Sequence, residues 1–112
     1  MLEEFLELNA FVFILIFARI GTVLMFIPGL GSTRIFARSR LFLALAISFI
    51  LTPILVDVLP AMPQTPVGLG LIIMGEILAG AFLGLIVRAM FAATQTAGTV
   101  ISFVSAMANT MV

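Results

Sequence analysis

Cysteine, histidine, lysine, tyrosine and tryptophan are all missing from this 112-residue sequence. Without cysteine there is no disulfide framework and no thiol chemistry. With histidine gone as well, the common transition-metal ligands are absent. The lack of tyrosine and tryptophan removes the aromatic belt that anchors many membrane helices near the headgroups; all 11 aromatic residues are phenylalanine. Charge is scarce too. Only 9% of residues are charged, against about a quarter in soluble domains. The arginines and acids balance at five each, and a chain without net charge is a poor match for nucleic acid. No nucleophile–base pair stands out, and no glycine-rich phosphate loop is followed by lysine. No enzymatic activity and no cofactor are therefore expected.

What remains is apolar. Hydrophobic residues make up 63% of the chain, and its mean hydropathy is +1.38. A water-soluble fold of this size cannot hide so much apolar surface. The expected fold is all-α, built of integral membrane helical hairpins in one membrane-embedded domain, residues 1–112. Three runs approach or exceed the roughly 20 apolar residues a helix needs to span a bilayer. They are Leu8–Ile27, interrupted by Arg19; Leu41–Leu59, with Pro53 inside it and Asp57 near its end; and Val67–Ala92, carrying Glu76 and Arg88. Between the second and third, Pro60–Pro66 holds three prolines and predicts an extended turn that no helix can cross. The acidic start, MLEEFLELN, has the wrong sign for a secretory signal, so the first run is expected to be retained.

The last stretch, ATQTAGTVISFVSAMANTMV, is less oily. Gln95, Thr99, Ser102, Ala106 and Asn109 recur at helical spacing as an uncharged polar stripe. Val100, Phe103, Val104, Met107 and Met111 fall on another face. The pattern predicts a fourth, amphipathic helix or loop rather than a lipid-facing span. The abrupt end at Val112, without cap or polar tail, reads as that of a fragment or truncated copy.

Three of the five arginines, Arg34, Arg38 and Arg40, crowd into IPGLGSTRIFARSR between the first two runs. Excess arginine beside membrane runs marks the cytoplasmic side. The Pro60–Pro66 turn has no basic residue, and Arg88 lies toward the far end of the third run. These sites predict one topology: N-terminus out, Ile27–Arg40 in, Pro60–Pro66 out, Arg88 in.

Arg19 and Glu76 lie within apolar runs, where a charge costs at least about 2.5–3.5 kcal/mol and so faces protein or water. In this topology the first and third helices run in the same sense. Arg19 then lies roughly 16 Å, and Glu76 roughly 13 Å, from the outer ends of their runs. The two are at comparable depth and pair if their helices are neighbours. Such a pair serves as an ion or proton relay, as a structural ion pair, or as a contact to another subunit; a relay normally needs more than one isolated acid. Gly75, Ala79, Gly80 and Gly84 make a small-residue face in GEILAGAFLG, expected to pack against another helix. Gly80 and Gly84 form a GxxxG, which lets helix backbones approach closely, either within the chain or between subunits. Of the seven methionines, Met25, Met62, Met74 and Met90 read as apolar filling. Met107 and Met111, near Phe103 and beside the stripe containing Ser102 and Asn109, suit a soft closure of an aqueous path.

Several of these segments, taken in order, resemble a known family. ARIG at Ala18–Gly21, PGLGS at Pro28–Ser32, and the run from Arg34 to Ser48 resemble the N-terminal part of the FliR/SctT export-gate family. GEILAGAFLGLIVRAMFAATQTAG, Gly75 to Gly98, resembles a second block of that family, which contains Gln95 and Gly98. The resemblance implies a structural and conduit subunit of the type III protein export gate, flagellar or injectisome, in the bacterial inner membrane. It implies FliP-like, FliQ-like and FlhB-like partners, surrounding membrane lipid, and unfolded secreted substrates threaded through the gate. It also implies that Ser102 to Val112 belong to a pore-closing plug segment, and that Arg19 and Glu76 are packing contacts within the gate. The FliQ-like C-terminal part of the family is absent from this sequence. A small ion or solute transporter using the Arg19–Glu76 pair is the alternative reading.

Overall fold

A computed structural model describes residues 1–29, 33 and 35–111. Three helices account for most of them: α1, Leu2–Phe26; α2, Ala37–Leu55; and α3, Pro66–Thr110. All three are long and apolar enough to cross a membrane.

Helix α1 starts six residues before its apolar run. Glu3 and Glu4 fall in its first turn, where negative charge suits the positive end of the helix dipole. It ends where Ile27 turns extended, ahead of Pro28, and Gly29 follows at φ 92°. That left-handed conformation suits a residue without Cβ. Helix α2 begins at Ala37, four residues before its apolar run, and gives way to turns after Leu55. Pro53 lies in its last turn, where the ring ends the regular hydrogen-bond ladder.

Helix α3 starts with stronger local signals. Pro66 occupies its first turn, a favoured site because the missing N–H would be unpaired there anyway. The Thr65 hydroxyl caps it by accepting from the Gly68 N–H at 3.2 Å. Replacing Thr65 with Ala should cost about 1 kcal/mol, and hydrogen exchange at Gly68 should quicken by roughly fivefold. Unchanged exchange there would show that the cap contributes nothing.

The expected fourth element is not separate. The third apolar run does not stop at Ala92, and α3 continues through the polar stripe to Thr110 as one 45-residue helix. The reason is local. Nothing between Ala92 and Gln95 breaks a helix, and Gly98 alone costs only about 1 kcal/mol. The hydroxyls of Thr94, Thr96, Thr99 and Ser102 each donate to the carbonyl four residues earlier, at 2.9–3.0 Å. Their polarity is therefore met inside the helix.

The middle helix of the bundle is α1, which packs against both others; among the described residues the α2 and α3 backbones do not come close. Early α2 residues such as Ala37 and Ala44 face Gly21 and Leu24 late in α1, so the two form an antiparallel hairpin. Gly80 and Gly84 of α3 meet Arg19 and Phe26 of α1 in ascending order, so α1 and α3 run in the same sense. Phe11, Val12, Leu15 and Ile16 of α1 form the small core. Most other large apolar side chains remain exposed within this chain. That surface needs lipid or other polypeptides to cover it.

Candidate functional site

Two close contacts fix α1 against α3. A Cβ built on Gly80 would stand 2.6 Å from the Arg19 carbonyl oxygen and 3.0 Å from Thr22 Cβ. One built on Gly84 would stand 2.5 Å from Phe26 Cβ. Both glycines are buried. The GxxxG contact is therefore made within the chain, and absence of side chains sets the helix separation. Gly75, expected on the same packing face, meets nothing within 4 Å. It lies five residues from Gly80, about 140° round the helix, on a side this chain leaves open.

The seam between α1 and α2 uses the same device, which sequence reasoning missed. Ala44, Ser48 and Thr52 recur every fourth residue and are the buried residues of α2. The Ser48 hydroxyl donates to the Ala44 carbonyl and the Thr52 hydroxyl to the Ser48 carbonyl, each at 2.6 Å. Small size permits close approach, and back-bonding removes the cost of burying hydroxyls. The small-xxx-small spacing was the available signal.

The close approach of α1 and α3 brings Arg19 and Glu76 together. Arg19 Nε lies 2.7 Å from Glu76 Oε2; the Glu76 side chain is 13% exposed and that of Arg19 45%. Thr22, one turn beyond Arg19, donates to the Ala18 carbonyl at 2.7 Å. The charged pair is neutral as a unit and is covered mainly on its acidic side.

Beyond Phe26, α3 outruns α1. Arg88, Phe91 and Gln95 share a cleft of about 380 Å³ with Met25, Phe26 and Gly29. From Thr96 to Thr110 every side chain is exposed, so roughly 20 Å of helix projects unaccompanied. Ser102 and Asn109 lie along one side of this projection, and Phe103, Met107 and Met111 along another. The structure does not bring these five residues into contact with Arg19 or Glu76. The arginine loop is divided. Arg38 is exposed in the first turn of α2, and Arg40 is half-buried, its Nε covered and without a hydrogen-bond partner among the described residues. Arg34 lies outside the described residues.

Comparison with known proteins bears on what this arrangement serves. The family described as "Bacterial export proteins, family 1" matches residues 10–112. The chain belongs to that family. Within it, the chain is 37% identical over 94 residues to the flagellar biosynthetic protein FliR of Caulobacter vibrioides. The match covers 84% of this chain and 38% of that relative's length. No solved structure matches. The family match takes in the Arg19–Glu76 pair, both packing glycines and the whole projecting end of α3.

Proposed function

We propose that this chain is a structural and conduit subunit of a bacterial protein export gate of the type III kind, set in the inner membrane. The observation that carries this reading is the projecting end of α3. It is a two-faced helix with no partner among the described residues, in a protein whose family is one of export proteins. Its apolar face, Val100 and Val104, would be covered by helices of neighbouring subunits, FliP-like and FliQ-like ones among them. The stripe from Gln95 to Asn109 would border the path of an unfolded substrate. Met107 and Met111, unbranched and adaptable, would close that path at rest together with Phe103. The mechanism is steric, and no chemistry is asked of the chain.

The test is made in the full-length protein. Met107→Ala with Met111→Ala should raise ion leak across the resting membrane severalfold while export of substrate continues. A leak unchanged by these substitutions, and by Phe103→Asp, would leave an assembly role without a closure.

A relay through Arg19 and Glu76 has less support. The two are bonded to each other, and no second acid stands within the span of α3 to pass a proton on.

A further inference from the structure

The Arg19–Glu76 pair is lopsided. Glu76 is 13% exposed, but the Arg19 side chain, on the same bond, is 45% exposed. A guanidinium carries five N–H donors. The Nε donor is spent on Glu76, and the guanidinium has no partner other than Glu76 among the described residues, so even a carboxylate that takes two of the five donors leaves three open. In a bilayer each unmet donor costs several kcal/mol, because no water is there to take it.

Escape to the membrane surface does not solve this. Arg19 lies seven residues before the end of α1, about 10 Å along the axis. A long side chain on a helix leans toward the N-terminus, away from that nearer end. The contacts show this lean. Gly80 is the α3 residue level with the Arg19 carbonyl, yet the guanidinium binds Glu76, one turn earlier. The Arg19 head is thus drawn toward Glu76 and away from the nearer end of α1.

Charge decides what meets it. Arg19 and Glu76 already neutralise each other, so an added carboxylate would leave a net negative charge buried at this depth, at high cost. A neutral oxygen acceptor completes the guanidinium without that penalty. We infer that the open edge of Arg19 is a docking point for a helix of another subunit, which presents a side-chain amide or hydroxyl oxygen at this level. This rests on the gate reading above and deepens it: the α1–α3 seam becomes an interface, with a polar contact that sets the depth at which the next subunit docks.

Two double variants of the full-length tagged protein test the inference in its own host membrane. Arg19→Glu with Glu76→Arg keeps the internal pair and moves the donors to the other helix. Arg19→Met with Glu76→Met removes both charges without leaving either alone. The readout is the share of each variant's membrane-inserted chain that runs in the large complex on native electrophoresis, so poorer insertion does not mimic a docking defect. Both variants should show a share lower by on the order of tenfold, about 1.4 kcal/mol. If either assembles as the unaltered protein does, the pair is only internal, or lipid or water meets its edge, and the inference falls. If the unaltered full-length protein itself runs free of any complex, the gate reading falls and takes this inference with it.

Discussion

Replacing Gly84 with Leu should separate α1 from α3. The first added carbon alone would stand 2.5 Å from Phe26 Cβ, inside van der Waals contact, and Phe26 Cβ is fixed to the α1 backbone. No rotamer of Phe26 moves its Cβ, so the helices must part or shift. Gly80 is equally constrained, because its added carbon would meet the Arg19 carbonyl oxygen at 2.6 Å. Overpacking of this kind costs about 1–3 kcal/mol for a single methyl. Gly80→Ala and Gly84→Ala should each fall in that range, and Gly84→Leu above it. Gly75 and Gly98 provide the internal comparison, since neither meets anything within 4 Å. Alanine there should stabilise α3 by up to about 1 kcal/mol through helix propensity alone. Unfolding of the purified protein in mixed micelles, followed by loss of helical signal, would separate the two pairs. If all four glycines respond alike, the helix separation is not set by Gly80 and Gly84. The same series tests the open side of α3. A Gly98→Ala protein that unfolds normally yet fails to assemble would place a neighbouring helix against the projecting end.

How much of this was legible beforehand depended on which physical signal each feature carried. The three helices were legible because long apolar runs broken by Pro28–Gly29 and by Pro60–Pro66 admit little else. The Arg19–Glu76 approach was also within reach of the sequence. A fixed rise per residue turns position into depth, and two charges at matched depth in parallel helices have reason to meet. Gly75 shows where the sequence reading went too far. Its neighbourhood looked uniformly small, but five residues is not a helical repeat, and angular arithmetic alone would have moved it off the packing face. The continuity of α3 was missed for a different reason. The change from oily to hydroxyl-rich sequence near Ala92 marks a change of surroundings, not a change of backbone. Helices stop at prolines, at left-handed residues and where backbone groups find other partners. None of these occurs before Thr110. The stripe on α2 is harder to read because Ser48 and Thr52 are polar, whereas glycine is the plainer sign of close packing. The outer half of Arg19 and the projecting end of α3 were not legible at all, since what a chain leaves uncovered depends on which of its own helices turn out to be neighbours.

The largest single-residue effect after Gly84→Leu should come from Glu76→Leu. Breaking a buried ion pair by removing one partner costs about 3–5 kcal/mol, because the remaining charge keeps its desolvation penalty and loses its compensation; with Arg19 45% exposed within the chain, this pair should sit at the low end of that range. Here the charge left behind is a guanidinium, which has no neutral form to retreat to. Arg19→Met leaves a carboxylate instead, and with it no N–H donors left unmet. The two single variants should therefore differ. Glu76→Leu should lower the membrane level of the chain more than Arg19→Met, although Glu76 is the more buried partner. Glu76→Gln should fall between, since its amide oxygen still accepts from Arg19 Nε but leaves the positive charge unbalanced. The transporter reading predicts another order: Glu76→Gln would leave the chain folded and abundant and remove only its transport. Quantifying full-length chain in the membrane after synthesis is stopped separates the cases. Equal persistence of all three variants would mean the pair contributes little to holding α1 against α3, and the small-residue contacts at Gly80 and Gly84 would then carry that seam alone.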